Sequence, residues 1–460
     1  MSRESRPIER LDAADLMSVW PEDKGWPQDI GALAILDGGS VLDADGRVRI
    51  DAVREYVEQR LHRVPRFRQL LCIPGFGLGW PLWVDAQSFD VAEHVGVFPV
   101  PPPGGDTEVL RVCETLCRCS LPRSRPLWEM WFLPGLVAGR VGLLMRMHHA
   151  IADGIAGVAT LSAFVDTVPD PPETAASPWA PALAPTRHDL FEDNLRRRRE
   201  QAEHALAAVA HPAATLRRIR QGLPAMRELF AEGSAPRTSV NHRIGSERRL
   251  AIIRSRLEVA KKIAHAHNAK VNDVLLTAVA RGYRALLQSR GEAVDDLVLR
   301  AFVPVSLHQE QPGQAQGNID AAMVVPLPIG EPDESSLLER VAAETAERKA
   351  KARPSGGAIF RSIAIQRAFL AYTPYQRMMN AYVADVPGPP VPLYFAGAAI
   401  RELFPRVPIL GNMSIGVGAL SYEDQFNITV VADRQQSSDL EIFNDGVGRA
   451  LEALENPIRT

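Results

Sequence analysis

The sequence predicts an α/β protein made of two units of comparable size that are joined by a linker. The chain has 460 residues, whereas one domain typically takes roughly 100–200. Strand-like apolar runs alternate with segments of helical spacing on both sides of a Pro/Ala-rich stretch at residues 170–186. We therefore expect an N-terminal domain at residues 1–169, a linker with a charged helical insert at 170–245, and a C-terminal domain at 246–460.

The first unit contains segments with clear periodicity. The run IGALAIL at residues 30–36 indicates a buried strand, and apolar residues at helical spacing predict a helix over 51–64. A second helix is predicted over 108–119. The run RVGLLMRM at 140–147 indicates a strand, and the Pro-Gly pair before it predicts a hairpin. Helical spacing resumes at 154–168.

The second unit repeats this alternation. Its predicted strands are at residues 249–257, 298–307, 321–329, 413–423 and 426–433, and its predicted helices are at 258–268, 271–291 and 335–352. The segment ADVPGPPVPLYFAG is rich in proline and glycine, so we expect a loop there.

Charge and cysteine content indicate which kinds of ligand this chain is not expected to bind. The formal net charge is −3, so the chain lacks the overall basic field that attracts nucleic acid, and we expect no nucleic-acid partner. The four cysteines, Cys72, Cys113, Cys117 and Cys119, form no CxxC pair and have no histidines at zinc-site spacing. No metal site is therefore predicted.

The N-terminus indicates a cytoplasmic protein. MSRESRPIERLDAADL has charges throughout and lacks the apolar core of a secretory signal. Apolar runs long enough to span a bilayer are also missing, since the best candidates are interrupted by Arg140 and Arg146. We expect the protein in the cytoplasm, either free or attached peripherally to the inner face of the membrane or to lipid inclusions.

A charged region over residues 189–229 permits two interpretations. It contains the arginine run 196–199 and a second group at 217–220. Such runs are commonly the solvated face of a helix. Alternatively, the arginines form a docking surface for phosphates or for an anionic headgroup.

The motif MHHAIADG carries the clearest chemistry. It follows the predicted strand at 140–147, so its side chains are expected at a strand end that a substrate can reach. The imidazole of His149 can take a proton from an alcohol and return it to a leaving group near neutral pH. Asp153 at the start of the following helix is expected to cap free N–H groups, and Gly154 permits a tight turn.

This HHxxxDG motif resembles that of the CoA-dependent acyltransferase superfamily, which includes chloramphenicol acetyltransferase and condensation domains. The resemblance implies that His149 is the general base and that His148 supports it. It also implies that Asp153 maintains the geometry of the site. No covalent acyl-enzyme is needed, and neither a metal nor another cofactor is expected beyond acyl-CoA as co-substrate.

Further segments resemble the bacterial wax ester synthase/diacylglycerol acyltransferase family, in order and spacing over most of the chain. They are RVPRFRQ at 63–69, FGLGWPLWV at 76–84, SRPLWE at 124–129, VNDVLLTAVA at 271–280, LRAFVPVSL at 299–307, GN at 317–318 and VPGPPVPLYFAG at 386–397. The resemblance implies two chloramphenicol-acetyltransferase-like domains with a tunnel at their interface. Acyl-CoA and an acceptor, diacylglycerol or a long-chain alcohol, would meet there at the catalytic histidine.

Other motif residues have expected supporting roles. Asn272 would donate a hydrogen bond to the oxyanion or orient the acceptor, or else cap the helix that carries Asp273 in its first turn. Packing of the tunnel wall is expected from three residues, Pro126, Leu127 and Trp128. Lys261 and Lys262, with the arginine run, are candidates for the CoA phosphates.

Three departures from the family pattern bear on activity. Pro27-Gln28-Asp29 stands where Pro-Met-His is common, and Ser-Leu-Pro-Arg at 120–123 stands where Pro-Leu-Asp-Arg is common. Asp385 replaces an amide before VPGP. These changes leave the base intact, but they keep two alternatives open: acyl transfer to an amine, and a catalytically silent lipid-binding or lipid-droplet protein.

Overall fold

The structure is a computed structural model that describes residues 7–152, 157, 160–171, 179–210, 233–305, 321–351 and 363–459. Its strands form two six-stranded sheets and one three-stranded sheet, and helices pack against them. The predicted α/β class with two sheet-bearing units is confirmed.

The described strands are β1 (Glu9–Arg10), β2 (Asp29–Asp37), β3 (Gln69–Cys72), β4 (Leu82–Asp85), β5 (Val95–Val97), β6 (Trp128–Pro134), β7 (Arg140–His148), β8 (Arg248–Arg256), β9 (Val298–Val305), β10 (Ala321–Pro328), β11 (Ala381–Val386), β12 (Tyr394–Phe395), β13 (Ala398–Arg406), β14 (Ile415–Tyr422) and β15 (Gln425–Asp433). The described helices are α1 (Ala13–Val19), α2 (Ile50–Arg60), α3 (Asp106–Leu116), α4 (Arg187–Ala210), α5 (Leu257–Ala266), α6 (Val271–Ser289), α7 (Glu334–Lys351), α8 (Ile363–Tyr372) and α9 (Leu440–Arg459).

The first six-stranded sheet has the order β12-β13-β2-β7-β6-β5. β6 and β7 form the predicted hairpin, and β2 pairs antiparallel with β7, which places Asp29 opposite His148. β13 comes from the C-terminal part of the chain and pairs with the free side of β2. The predicted boundaries at 169 and 246 stay a prediction, but residues 394–406 complete the sheet of the first unit.

The second sheet has the order β10-β9-β11-β14-β15-β8, and α6 and α9 pack together over it. Gly282 permits this close packing, because a Cβ there would lie 2.7 Å from a methyl group of Val447. Beside it, the rings of Tyr283 and Phe443 meet edge to face with centroids 4.9 Å apart. An apolar cluster between sheet and helices holds this unit together.

Most of the predicted elements are present, with local differences. The helix predicted over 51–64 ends at Arg60 and continues as short 3₁₀ turns, since Pro65 cannot extend it. The segment predicted as a loop at 384–397 begins inside β11 and includes β12. The helix predicted at 154–168 is too long: residues 157 and 160–162 are helical, but the helix ends there, and Asp166 pairs with Tyr394 in a β-bridge. Residues 154–156 and 158–159 and the arginine group at 217–220 fall outside the described residues.

Candidate active site

The histidine pair lies where β7 ends. His148 is the last residue of the strand, and its backbone N–H donates to the carbonyl of Leu127 at 2.9 Å. His149 follows in the loop, and its backbone N–H donates to the carbonyl of Gln28, also at 2.9 Å. Backbone groups on both sides of β7 therefore fix the position of the pair, at a strand end as predicted.

The His148 side chain has a structural environment. It is fully buried, and its Nδ1 accepts a hydrogen bond from the backbone N–H of Ala150 at 3.0 Å. A backbone N–H only donates, so Nδ1 carries no proton and the neutral ring is protonated at Nε2. Nε2 lies 3.4 Å from Oε1 of Glu22, which also lies against Arg123. These contacts fix the orientation of the ring, in keeping with a supporting role.

The His149 side chain has a different environment. The residue is half-buried, and its Nδ1 is shielded from solvent without a hydrogen-bond partner among the described residues. Burial lowers the pKa of His149 to about 4, an effect that the residue's own backbone only partly offsets. The ring is therefore neutral near pH 7 and is able to accept a proton.

A buried ion cluster includes Asp29, which lies directly after Gln28 in the chain. It consists of Asp29, Arg146 and Arg406, whose side chains are at most 6% exposed. Oδ2 of Asp29 lies 2.7 Å from Nη1 of Arg406 and 3.3 Å from Nε of Arg146. Burial alone would raise the pKa of the Asp29 carboxyl, but the two guanidinium groups outweigh it and lower that pKa.

The cluster joins strands that are distant in the chain. Arg146 lies on β7 and donates to the carbonyl of Cys119 at 2.7 Å, whereas Arg406 lies at the end of β13. The strand end that holds His149 is thereby anchored by residues from both parts of the chain. The sequence shows the departure at Gln28-Asp29 but not the partners of Asp29. The available signal was Arg146, a charged residue within the apolar run of β7.

The predicted packing residues, Pro126, Leu127 and Trp128, are buried beside the histidines. The Trp128 ring stacks between Phe67 and His94, with centroids 4.7 Å and 4.4 Å away. Its indole N–H donates to the carbonyl of Phe67 at 2.8 Å. The motif is therefore tightly packed, and the Leu127 carbonyl within it accepts the His148 N–H. Its expected role in a tunnel wall stays a prediction.

Asn272 and Asp273 lie in the first turn of α6. Asp273 is a structural residue, because its carboxylate accepts hydrogen bonds from the Lys270 backbone N–H at 2.8 Å and from the Thr345 hydroxyl at 2.6 Å. The capping interpretation of Asn272 is wrong, since Lys270 occupies the cap position. The half-buried Asn272 amide forms no hydrogen bond with the described residues, including His149.

The remaining predicted residues lie elsewhere. Asp153 and Gly154 fall outside the described residues. Lys261 and Lys262 are exposed on α5, where the ammonium group of Lys261 lies 3.7 Å from Glu258. The structure does not bring these lysines into hydrogen-bond or ion-pair contact with the histidine pair within its described part. Asp385 is half-buried in β11, and burial raises the pKa of its carboxyl to about 6.

The described residues contain neither a metal-binding cluster nor a membrane-spanning helix. No group of three or more histidine, cysteine, aspartate or glutamate side chains is arranged to hold a metal ion in the described part of the chain. No described helix combines the length and apolar character needed to cross a bilayer.

Comparisons with known proteins agree with this arrangement. Residues 11–275 match the catalytic domain of the wax ester synthase/diacylglycerol acyltransferase family, and residues 316–455 match the C-terminal domain of that family. A probable diacylglycerol O-acyltransferase of Mycobacterium tuberculosis is 28% identical, over 92% of this chain and 90% of its own length.

Solved structures show the same fold. The wax ester synthase/diacylglycerol acyltransferase of Marinobacter aquaeolei superposes with a TM-score of 0.72 at 20% identity, over 98% of this chain and 100% of that chain. The first condensation domain of the calcium-dependent antibiotic synthetase gives a TM-score of 0.65 at 15% identity, over 99% and 98%. The predicted fold of two chloramphenicol-acetyltransferase-like domains is confirmed, whereas the tunnel at their interface stays a prediction.

Proposed function

The chain belongs to the wax ester synthase/diacylglycerol acyltransferase family, and from this premise we propose that it transfers a long-chain acyl group from acyl-CoA to an alcohol. The chain is an acyltransferase. The proposed acceptors are diacylglycerol and long-chain alcohols, which would yield triacylglycerol or wax ester. The observation that carries the proposal is the His149 ring at a strand end, where the backbone N–H is held by the Gln28 carbonyl and Nδ1 has no hydrogen-bond partner among the described residues.

In the proposed mechanism, His149 takes the proton of the acceptor hydroxyl while the hydroxyl oxygen attacks the carbonyl carbon of the thioester. The new C–O bond forms and the carbonyl electrons move to oxygen, giving a tetrahedral oxyanion. Collapse of this intermediate breaks the C–S bond, and protonated His149 returns the proton to the departing CoA thiolate. Because burial lowers the pKa of His149, its imidazolium is a stronger acid than usual, which favours this return.

We propose Asn272 as the hydrogen-bond donor to the oxyanion, because its side-chain amide forms no hydrogen bond with the described residues. Losing such a donor typically lowers kcat by roughly 10²–10³-fold, and Asn272→Ala is expected to do so. Asp273→Asn is the contrasting change, since it removes a cap charge and should act mainly on stability. Equal kcat in Asn272→Ala and the parent would rule out the assignment.

Three of the four cysteines are poor candidates for a catalytic nucleophile. Burial raises the pKa of the Cys113 and Cys117 thiols, and it also raises that of Cys72. A raised pKa removes the thiolate that nucleophilic catalysis needs. Direct transfer through a ternary complex, with acyl-CoA as co-substrate and no further cofactor, is therefore the proposed route.

The decisive experiment follows thiol release from palmitoyl-CoA with diacylglycerol, hexadecanol or hexadecylamine as acceptor. We expect turnover with an alcohol and its loss, by a factor of roughly 10²–10⁴, in His149→Ala. His188→Ala is the matched control, because His188 is exposed on α4 and contacts Glu192. Turnover that survives in His149→Ala would remove the histidine from the mechanism.

The acceptor panel also separates the alternatives. Reaction with the amine alone would favour the condensation-type transfer that the shared fold permits. If neither alcohol nor amine reacts while labelled lipid still binds, the protein is a silent lipid-binding member of its family.

We further propose that the protein works at the surface of a membrane or a lipid inclusion. Several apolar side chains are exposed in the described structure, among them Phe76, Phe191 and Leu206. Phe76 is fully exposed at a loop tip, where an apolar ring gains by entering a lipid interface. Phe76→Ser should lower co-sedimentation with phosphatidylglycerol vesicles several-fold, and unchanged co-sedimentation would contradict the proposal.

A further inference from the structure

A cavity of about 850 Å³ lies beside the N-terminal strand, apart from the histidine pair, and its size is typical of a small-molecule site. Its walls come from the α1 region, from the loop at residues 73–81, from α4 and from α8. We name it the arginine-rimmed cavity after four of its lining residues, Arg10, Arg197, Arg198 and Arg367. Neither His148 nor His149 lines it.

The wall of this cavity is firmly built around Arg10. The Arg10 side chain is 2% exposed. Its Nε donates to Asp193 at 2.7 Å, and its Nη2 donates to the carbonyl of Leu190 at 3.2 Å. Gly79 makes room for the guanidinium, because its φ is +88° and a Cβ there would lie 2.8 Å from Cζ of Arg10. Asn194 fixes the same loop by donating to the carbonyl of Gly77 at 2.8 Å.

Two of the lining arginines are available to a ligand. Arg198 forms no hydrogen bond or ion pair with the described residues, and the Arg367 guanidinium only lies over the Trp20 ring, 5.0 Å from its centroid. Arg197, by contrast, is engaged with Asp193 at 3.1 Å. The lining contains four arginines and one carboxylate, Asp12, and a second carboxylate, Asp193, pairs with Arg10 and Arg197, which leaves an excess of two positive charges.

The rest of the lining is apolar and aromatic. Trp20 and Trp80 provide ring surfaces, and Ile73 and Phe76 lie at the exposed side of the cavity. Planar or apolar groups bind to such walls, while guanidinium groups bind phosphate oxygens. A phosphomonoester carries a charge of roughly −1.5 to −2 near pH 7, which matches the excess of two positive charges.

We propose that the arginine-rimmed cavity binds a phosphomonoester carried on an aromatic or apolar body. Two molecules have this chemistry: adenosine 3′,5′-bisphosphate, the nucleotide end of CoA, and phosphatidate. Leu11 and Trp20 of the cavity belong to the same apolar cluster as Leu127 and Ala150 beside the histidines. A ligand in the cavity therefore packs against the cluster that supports the histidine loop. The nucleotide source, unlike the lipid source, rests on the proposed function.

The test is direct calorimetric binding to the full chain, which requires no turnover. The probes are adenosine 3′,5′-bisphosphate and dihexanoyl phosphatidate, with inorganic phosphate and dihexanoylglycerol as probes that each lack one half of the ligand. We expect one of the first two to bind at least tenfold more tightly than both half-probes. Arg198→Ala and Arg367→Ala should each weaken that binding roughly tenfold.

Arg199→Ala is the matched control, since Arg199 is exposed on the same helix but does not line the cavity. Nucleotide binding identifies the cavity as a donor site, and phosphatidate binding identifies it as a lipid-phosphate site. Absence of binding by both probes would overturn the inference, and so would equal losses in Arg199→Ala and Arg198→Ala. Acyl transfer that continues in either case would leave the proposed function intact.

Discussion

Asp29, at the start of β2, and Asp385, near the end of β11, have carboxyl pKa values that are shifted in opposite directions. Asp29 is 1% exposed between two guanidinium groups, and they hold the pKa of its carboxyl below the ordinary value despite burial. Asp385 is half-buried without a hydrogen bond or ion pair to the described residues, and burial raises its pKa from 3.8 to about 6. Both residues stand where the family pattern has a different side chain.

The difference shows that burial does not by itself decide whether a carboxyl is charged. Asp29 is more deeply buried, yet it stays ionised because Arg406 and Arg146 supply compensating charge. Asp385 lacks such partners, so near pH 6 a substantial fraction of it is a neutral carboxylic acid. A protonated carboxyl can donate a hydrogen bond, as the amide of the family pattern would.

Arg406→Met should have the largest effect, because it removes the closer partner of Asp29 and leaves that charge incompletely compensated. Breaking a buried ion pair typically costs about 3–5 kcal/mol of the free energy of unfolding. The measurement is urea unfolding at pH 7, followed by circular dichroism. Since Asp29 directly follows Gln28, whose carbonyl accepts the His149 N–H, kcat should fall as well.

Arg401→Met provides the control on the same strand. Arg401 pairs with Asp37, but its side chain is 54% exposed, and exposed pairs contribute only about 0–1 kcal/mol. If both variants lose the same free energy of unfolding, the buried cluster has no special role in holding the two parts of the chain together.

Asp385→Asn should stabilise the protein near pH 7, in contrast to any change at Asp29. The folded-state pKa is raised, so the free energy of unfolding falls as pH rises from about 4 to about 6, and the cost persists above that window. Removing the charge should raise the free energy of unfolding by about 1–2 kcal/mol at pH 7.5. Near pH 3 the two proteins should differ little in stability, because Asp385 is then mostly protonated in both the folded and the unfolded state.

Urea unfolding of Asp385→Asn and its parent at these two pH values tests the prediction. Asp424→Asn is a suitable control, because Asp424 is an exposed turn residue. A destabilised Asp385→Asn protein at pH 7.5 would mean that the carboxylate has a favourable partner after all.

The local sequence pattern predicted the strands next to the histidine pair but not the long-range contacts that anchor those strands. The apolar run of β7 and its hairpin with β6 depend on neighbouring residues, so periodicity was sufficient to locate His148 and His149. The pairing of β13 with β2 joins residues far apart in the chain, and no local signal encodes such a pairing. The partnership of Arg406 with Asp29 depends on that pairing and was therefore not predictable.

The motif residues illustrate the same limit. Asp273 was expected in the first turn of a helix, and its capping contact with Lys270 follows from local sequence. The contact of Asp273 with Thr345 depends on how α7 packs against α6, which sequence spacing does not specify. The arginine-rimmed cavity likewise combines four separate segments. The arginine run and the segment at 76–84 had been singled out, but sequence spacing does not show that they meet.

The smallest of the expected effects extends the comparison from Asp385 to His149, which is also half-buried and has no compensating charge among the described residues. Burial disfavours the charged form of each group, so it raises the pKa of the carboxyl and lowers that of the imidazole to about 4. The pH dependence of kcat/KM reports the free enzyme. Its acid limb should therefore lie well below pH 6.5, the ordinary midpoint for histidine.

The measurement compares kcat/KM at pH 5.5 and pH 7.5, with circular dichroism to show that the fold is intact at both. A base with a pKa near 4 stays about 97% neutral at pH 5.5, whereas an ordinary histidine would be only about 9% neutral. We expect the two rates to agree within about a factor of two. A tenfold fall at pH 5.5 with an intact fold would show that solvent or a cation-stabilising group reaches the His149 ring, and the contrast between paired and unpaired buried groups would then not extend to the base.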